Sequence, residues 1–330
     1  MLVTKVTKML GIQHPIIQGG MHYVAYAELA AAVSNAGGLG IITALSQPSP
    51  EALRQEIQKV KKLTTKPFGV NITLLPAFVP PDYASYAKVI LEEGVKIVET
   101  AGNNPGPYIE LFKKNGIIVI HKCVAIRHAL TAQRLGADIV SVDGFECAGH
   151  PGEDDVGNFV LLAKAARKLS IPFLASGGVG TGSQLAAALA LGADGVNMGT
   201  RFMATQECAI HPNIKKALVD SDERATTLIF RSLNNTERVY KNKTALKVQA
   251  LEKEKPGDFS IIRPYVSGAL YKDSFYNTGD TESSVWSAGI VMGLIEDVPT
   301  CKELIERMVS EASDIITNRL QTLVHPKSKL

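Results

Sequence analysis

Features that would commit this chain to a metal, a membrane or a nucleic acid are scarce. Its four cysteines, Cys123, Cys147, Cys208 and Cys301, lie far apart with no Cys-x-x-Cys pair. That spacing argues against a zinc site or a disulfide scaffold and for reduced thiols in a reducing compartment. No apolar run approaches the ~20 residues that span a bilayer, and Met1-Leu-Val-Thr-Lys has no secretory pattern. A net charge of +3 is too small to imply a nucleic-acid or membrane-surface partner. The basic run Lys59, Lys61, Lys62 and Lys66 reads as a solvated helix end. A Walker or dinucleotide fingerprint is also missing, because Gly177-Gly-Val-Gly-Thr-Gly lacks the spacing and the acidic partner. What remains is a 330-residue chain, 45% hydrophobic and 20% charged, with room for a large core.

Eight short apolar runs, each ending in small or polar residues, alternate with helix-patterned stretches. They begin at Pro15, Gly38, Phe68, Val95, Ile117, Ala137, Pro172 and Ala193. A repeated strand-then-helix rhythm calls for parallel strands joined by crossover helices, and eight units close into a (β/α)8 TIM barrel. In that α/β fold the active site gathers at the C-terminal strand ends. Gln18, Thr43, Asn71, Thr73, Thr100, His121, Lys122, Asp143, Ser176 and Asn197 thus become candidates to face one ligand.

A barrel takes ~250 residues, which leaves a smaller accessory domain. We read 1–212 as the barrel, completed by 272–300. Residues 213–271, richer in charge and without a clear strand sequence, read as a helical accessory lid, and 301–330 as a closing helix and tail. The loop Leu74-Leu-Pro-Ala-Phe-Val-Pro-Pro81 is rich in proline, and rigid loops there can frame a pocket. The terminal Ser328-Lys-Leu330 is a peroxisomal address in a eukaryote; in a bacterium it carries no message, and a cytoplasmic protein is expected.

Two glycine-rich loops carry the first chemical signal. Ser176-Gly-Gly-Val-Gly180 follows the seventh run and Met198-Gly-Thr-Arg201 the eighth. Glycines let backbone N–H groups approach a phosphate, and a helix N-terminus adds a favourable dipole. Barrels commonly hold phosphate after strands seven and eight. Lys122 and Asp143 end strands five and six, as a ligand clamp or as a structural ion pair. The densest constellation is Asp143-Gly-Phe-Glu-Cys-Ala-Gly-His150-Pro-Gly-Glu-Asp-Asp155. A histidine there suits proton transfer near neutrality, with Glu146 placed to orient its ring and Asp154 and Asp155 placed to cap the next helix. Cys147 reads as a small packing residue or a redox thiol.

Together, Gln18-Gly-Gly-Met21, Ala36-Gly-Gly-Leu39, Gly69-Val-Asn71, Asp143-Gly-Phe-Glu, Gly149-His-Pro-Gly, Ser176-Gly-Gly178 and Asn197-Met-Gly-Thr-Arg-Phe202 resemble the nitronate monooxygenase family. The likeness covers most of the chain and implies one non-covalent FMN across the barrel mouth. Carried over by position, Gly20, Met21 and Thr73 would line the flavin, and Lys122, Asp143 and Ala148 would contact it. Gly177, Gly178, Gly180, Gly199 and Thr200 would hold its phosphate end, and His150 matches the active-site histidine. The resemblance implies oxidation of alkyl nitronates, such as propionate 3-nitronate, with O2 to a carbonyl product and nitrite. One departure counts: many nitronate-oxidising members carry Glu-Ala-Gly-Gly-His where this chain has Glu146-Cys-Ala-Gly-His150. That version resembles the branch acting as NADH:quinone reductases, in which NADH would be co-substrate on the same FMN. An FMN-dependent enoyl reductase, a non-catalytic flavin-binding barrel and a homodimer also stay open.

Overall fold

A computed structural model describes residues 2–74 and 81–324. Eight parallel strands close on themselves: β1 (Ile16–Gln18), β2 (Leu39–Thr43), β3 (Phe68–Leu74), β4 (Ile97–Gly102), β5 (Ile118–Cys123), β6 (Ile139–Asp143), β7 (Phe173–Ser176) and β8 (Val196–Met198). The register runs in sequence order, and β1 pairs with β8 to seal the barrel. The expected TIM barrel is therefore the observed fold, and each of the eight apolar runs contains one strand.

Alternation along the strands sorts the residues into layers. Ile17, Leu39, Ile41, Ile97, Ile120, Ile139 and Leu174 fill the interior with Val6, Leu10 and Ile12. The last three belong to or follow the N-terminal helix Lys5–Leu10, which closes the N-terminal end. Two residues further along each strand the inward positions turn polar, at Asn71, Glu99, Ser141 and Asn197, all buried. Valines of opposite parity, such as Val98, Val119 and Val140, pack outward against the helices. Thr100 and His121 share that outward parity, and the Thr100 hydroxyl lies 2.9 Å from His121 Nδ1. Of the two, only His121 borders the cavity described below.

The crossover helices start where local chemistry says they should. Ser49 caps Pro50–Leu63 through the Ala52 N–H, with proline in the first turn. The eighth barrel helix comes late: Cys301–Asp314 packs between Ala27–Asn35 and Gly182–Ala190. Residues 204–300 are thus inserted between β8 and its helix.

This insertion carries the helices Pro212–Val219, Lys243–Glu254 and Gly268–Asp273. It also holds an antiparallel hairpin, β9 (Thr226–Ile229) with β10 (Glu237–Tyr240), which corrects the reading of 213–271 as free of strands. Each strand has four residues, two of them polar in β10. The connection turns through positive φ at Phe230 and Asn234 rather than at glycine, so neither alternation nor a glycine turn announces it. Ile229, Phe230, Val239, Ala245, Val248 and Ile262 form a separate small core. No helix among the described residues is long and apolar enough to cross a membrane. The proline-rich stretch 75–80 and the terminal Ser328-Lys329-Leu330 lie outside the described residues.

Candidate active site

A cavity of about 920 Å3 opens at the C-terminal ends of the strands. Gly20, Met21, Thr73, Lys122, Asp143, Ala148, His150, Gly177, Gly178, Gly199 and Thr200 all border it. Of the strand-end candidates, Gln18, Thr43, Thr100 and Asn197 do not border it, and of the residues carried over from the resemblance Gly180 alone stands apart. Its N–H donates to Gln184 Oε1 at 2.8 Å, and a side chain there would strike Val291. This placement leaves Gly180 no free donor for a phosphate.

The loop after β7 is held in a fixed turn. Gly177 and Gly178 adopt φ of +86° and +76°, a region that L side chains rarely enter. Side chains there would also collide with Cys147 and Glu146. The carbonyls behind them are occupied: Asn158 Nδ2 donates to Ser176 O and Gly177 O, and Gln184 Nε2 donates to Gly178 O. No acceptor among the described residues takes the Gly177 or Gly178 N–H. Thr200 lies opposite, its hydroxyl accepting the Gly289 N–H at 3.0 Å. Two unpartnered N–H groups beside a hydroxyl form a donor set that suits a phosphate.

The helix dipole expected to assist is already engaged. Glu311, from the closing helix, accepts the Gly182 and Ser183 N–H groups at 2.9 and 3.0 Å. The first turn of Gly182–Ala190 is therefore satisfied from within the chain.

Lys122 and Asp143 form an ion pair at 3.2 Å, both largely buried. Burial alone would lower the Lys122 pKa, but the carboxylates of Asp143 and Glu99 outweigh it and hold the ammonium above its ordinary value. Burial, reinforced by Asp143, raises the Cys147 thiol well above the ordinary range. A thiol so protonated is a poor nucleophile, which favours packing over redox chemistry.

His150 follows Gly149, whose N–H and carbonyl both bond Arg238 in β10, at 3.1 and 2.6 Å. The Arg238 guanidinium donates to Phe145 O and sits 4.5 Å from the centre of the Phe145 ring. The acids of this loop depart from their expected duties. Glu146 accepts the Asn158 N–H at 3.0 and 3.1 Å and so serves the start of helix Asn158–Lys168, not the imidazole. Asp154 pairs with Arg127, and Asp155 with Arg231 of the hairpin connection. Glu153 accepts the Thr236 N–H and hydroxyl. Neither aspartate caps the helix, because both are drawn to arginines.

Several lining residues escaped the sequence reading. His22 and Tyr23 stack at 3.9 Å in the loop after β1, and burial lowers the His22 pKa. Val266, Tyr271, Val285 and Trp286 contribute an apolar cover from the insertion.

The nitronate monooxygenase family model matches residues 3–311. A Rhodococcus jostii protein named (3aS,4S,5R,7aS)-5-hydroxy-7a-methyl-1-oxo-octahydro-1H-indene-4-carboxyl-CoA dehydrogenase is 34% identical, covering 94% of this chain and 96% of its own. A Staphylococcus saprophyticus protein named probable nitronate monooxygenase is 29% identical, covering 96% and 99%. The structure of FabK from Thermotoga maritima superposes with a TM-score of 0.91 at 37% identity, covering 98% and 100%. All three sources are bacteria, so the peroxisomal reading of the C-terminus gains no support from them. With a matching family model over nearly its whole length and the barrel, glycine loops and cavity in place, the chain belongs to the nitronate monooxygenase family of flavin-dependent oxidoreductases.

Proposed function

We propose that the chain is an FMN-dependent oxidoreductase that oxidises an alkyl nitronate with O2 to a carbonyl compound and nitrite. The observation that carries this reading is the convergence of unpartnered Gly177 and Gly178 N–H groups, the Lys122–Asp143 pair and His150 on one cavity. The donor set fits FMN. Gly177, Gly178, Gly199 and Thr200 would hold the phosphate, and Gly20, Met21, Thr73, Lys122, Asp143 and Ala148 the ring system. When bound, FMN supplies the electron transfer and its reoxidation by O2. Lys122 keeps a positive charge in the mouth, where it attracts an anionic substrate. His150 would hold a proton against the anionic nitro oxygens of the nitronate, on a loop fixed by the Gly149–Arg238 bonds. Val266, Tyr271, Val285 and Trp286 exclude water from above.

A second reading has its own observation. The Rhodococcus relative is named for a CoA thioester, and at 34% identity it is nearer than the 29% of the Staphylococcus protein. A thioester carbonyl, like a nitro group, acidifies the neighbouring carbon, so the same cavity and His150 suit dehydrogenation next to it. The likeness to FabK supports the enoyl reductase reading in the same way. The test is steady-state turnover of FMN-loaded protein with propionate 3-nitronate, with an acyl-CoA and with NADH plus a quinone. Nitrite release with the nitronate supports the first reading. Turnover confined to the thioester selects the second, and turnover confined to NADH and quinone removes both.

A further inference from the structure

Glu99 is the charged group that the proposed chemistry leaves unused. It lies in β4 with no exposed surface and does not border the cavity. One oxygen accepts the Gly20 N–H at 3.0 Å and Asn71 Nδ2 at 2.7 Å, and the other accepts Asn197 Nδ2 at 2.8 Å. A carboxylate in a barrel interior is costly, and a well-packed apolar residue commonly serves stability as well or better. The layer beneath it is wholly apolar. A polar group retained here therefore points to what it orients.

Both amides lead to the cavity. Asn71 Oδ1 accepts the Thr73 hydroxyl at 2.9 Å. Asn197 Nδ2 also donates to Ser141 Oγ at 3.2 Å, and that hydroxyl donates to Asp143 Oδ1 at 3.4 Å. The β1 loop is pressed onto the same pair, since side chains at Gly19 and Gly20 would collide with Asn197 and Asn71. Lys122 feels the Glu99 carboxylate as well as that of Asp143.

We infer that Glu99 is the positioning residue of the flavin seat, fixing the Gly20 backbone, Thr73 and the Lys122–Asp143 pair in one bonded unit and adding a buried negative charge behind them. The inference rests on the FMN reading. Its test compares the parent, Glu99→Gln and the double variant Glu99→Gln/Asn197→Asp. In the single variant a Gln amide meets the Asn197 amide, donor against donor. The double variant restores an acceptor opposite that amide and returns a carboxylate from β8, across the barrel interior.

FMN affinity is measured by flavin fluorescence quenching and the bound-flavin midpoint potential by dye equilibration, without substrate. Glu99→Gln should weaken FMN by about tenfold or more, the scale of a buried charged hydrogen bond, and shift the potential upward, because a nearby negative charge opposes reduction. The double variant should recover most of both. Unchanged affinity and potential in Glu99→Gln overturn the inference, as does a loss that the double variant does not rescue. If neither variant folds, Glu99 is a keystone of the barrel and the inference also falls. A parent protein that binds no FMN removes the flavin reading itself, which is a different failure.

Discussion

At the glycine end of the cavity, the loop after β7 is fixed by Asn158, Gln184 and the neighbouring Glu311, all from barrel helices. At the His150 end, the loop after β6 is fixed by the inserted hairpin, through Arg238, Thr236 and the half-exposed Asp155–Arg231 pair. The first end is built mainly from the barrel, with Gly289 of the insertion donating to Thr200, and leaves two N–H groups waiting. The second depends on an insertion with its own small core. The proposed cofactor end is thus held chiefly by the barrel, whereas the His150 end is shaped by the inserted hairpin.

The largest effect should come from filling the cofactor end. Gly178→Asp puts a side chain at φ +76° against Glu146 and a carboxylate where the phosphate belongs. FMN affinity should fall by roughly a hundredfold or more, the scale of an unpaired buried charge, while circular dichroism stays close to the parent. Retained affinity would mean the phosphate lies elsewhere. Next, His150→Asn should leave FMN bound but slow turnover by about a hundredfold. Equal turnover would detach His150 from the chemistry and erase the functional contrast between the ends.

A smaller effect is expected at the β4–β5 wall between them. Burial pushes the His121 pKa down to about 4, so between there and its unfolded value near ~6.5 the unfolded chain binds the extra proton. His121 therefore contributes stability above that unfolded value and loses it as pH falls toward 4. His121→Gln should flatten the acid-side decline by at most about 1.4 kcal/mol per pH unit, read from denaturant unfolding at several pH values. An identical slope in both proteins would contradict the burial account.

The smallest effect belongs to the latch. Arg231→Ala should raise KM about threefold, in keeping with an exposed ion pair of less than ~1 kcal/mol, and leave FMN affinity alone. If FMN affinity fell instead, the two ends would not be separable.

Much of this was legible in the sequence for a physical reason. Barrel strands and glycine loops are written locally: short apolar runs such as Ile118-Val-Ile-His-Lys122 declare a strand, and Ser176-Gly177-Gly178 declares a turn. Lys122 and Asp143 followed from their places at strand ends, and His150 from the loop after β6. The features that escaped depend on partners distant in the chain. Glu311 fills a helix terminus about 130 residues away. Glu146 turns to Asn158 because Asp154 and Asp155 are drawn to Arg127 and Arg231. Glu99 is one polar residue in an apolar strand, and only Gly20, Asn71 and Asn197, each distant in the chain, give it a place.

The most direct measurement is anaerobic bleaching of the FMN-loaded protein in a stopped-flow spectrometer, mixing it separately with propionate 3-nitronate, an acyl-CoA and NADH. Rapid bleaching by the nitronate, slowed in His150→Asn, is the result this account predicts. Bleaching by NADH alone, with the nitronate inert, would contradict it and assign the same cavity to a quinone reductase.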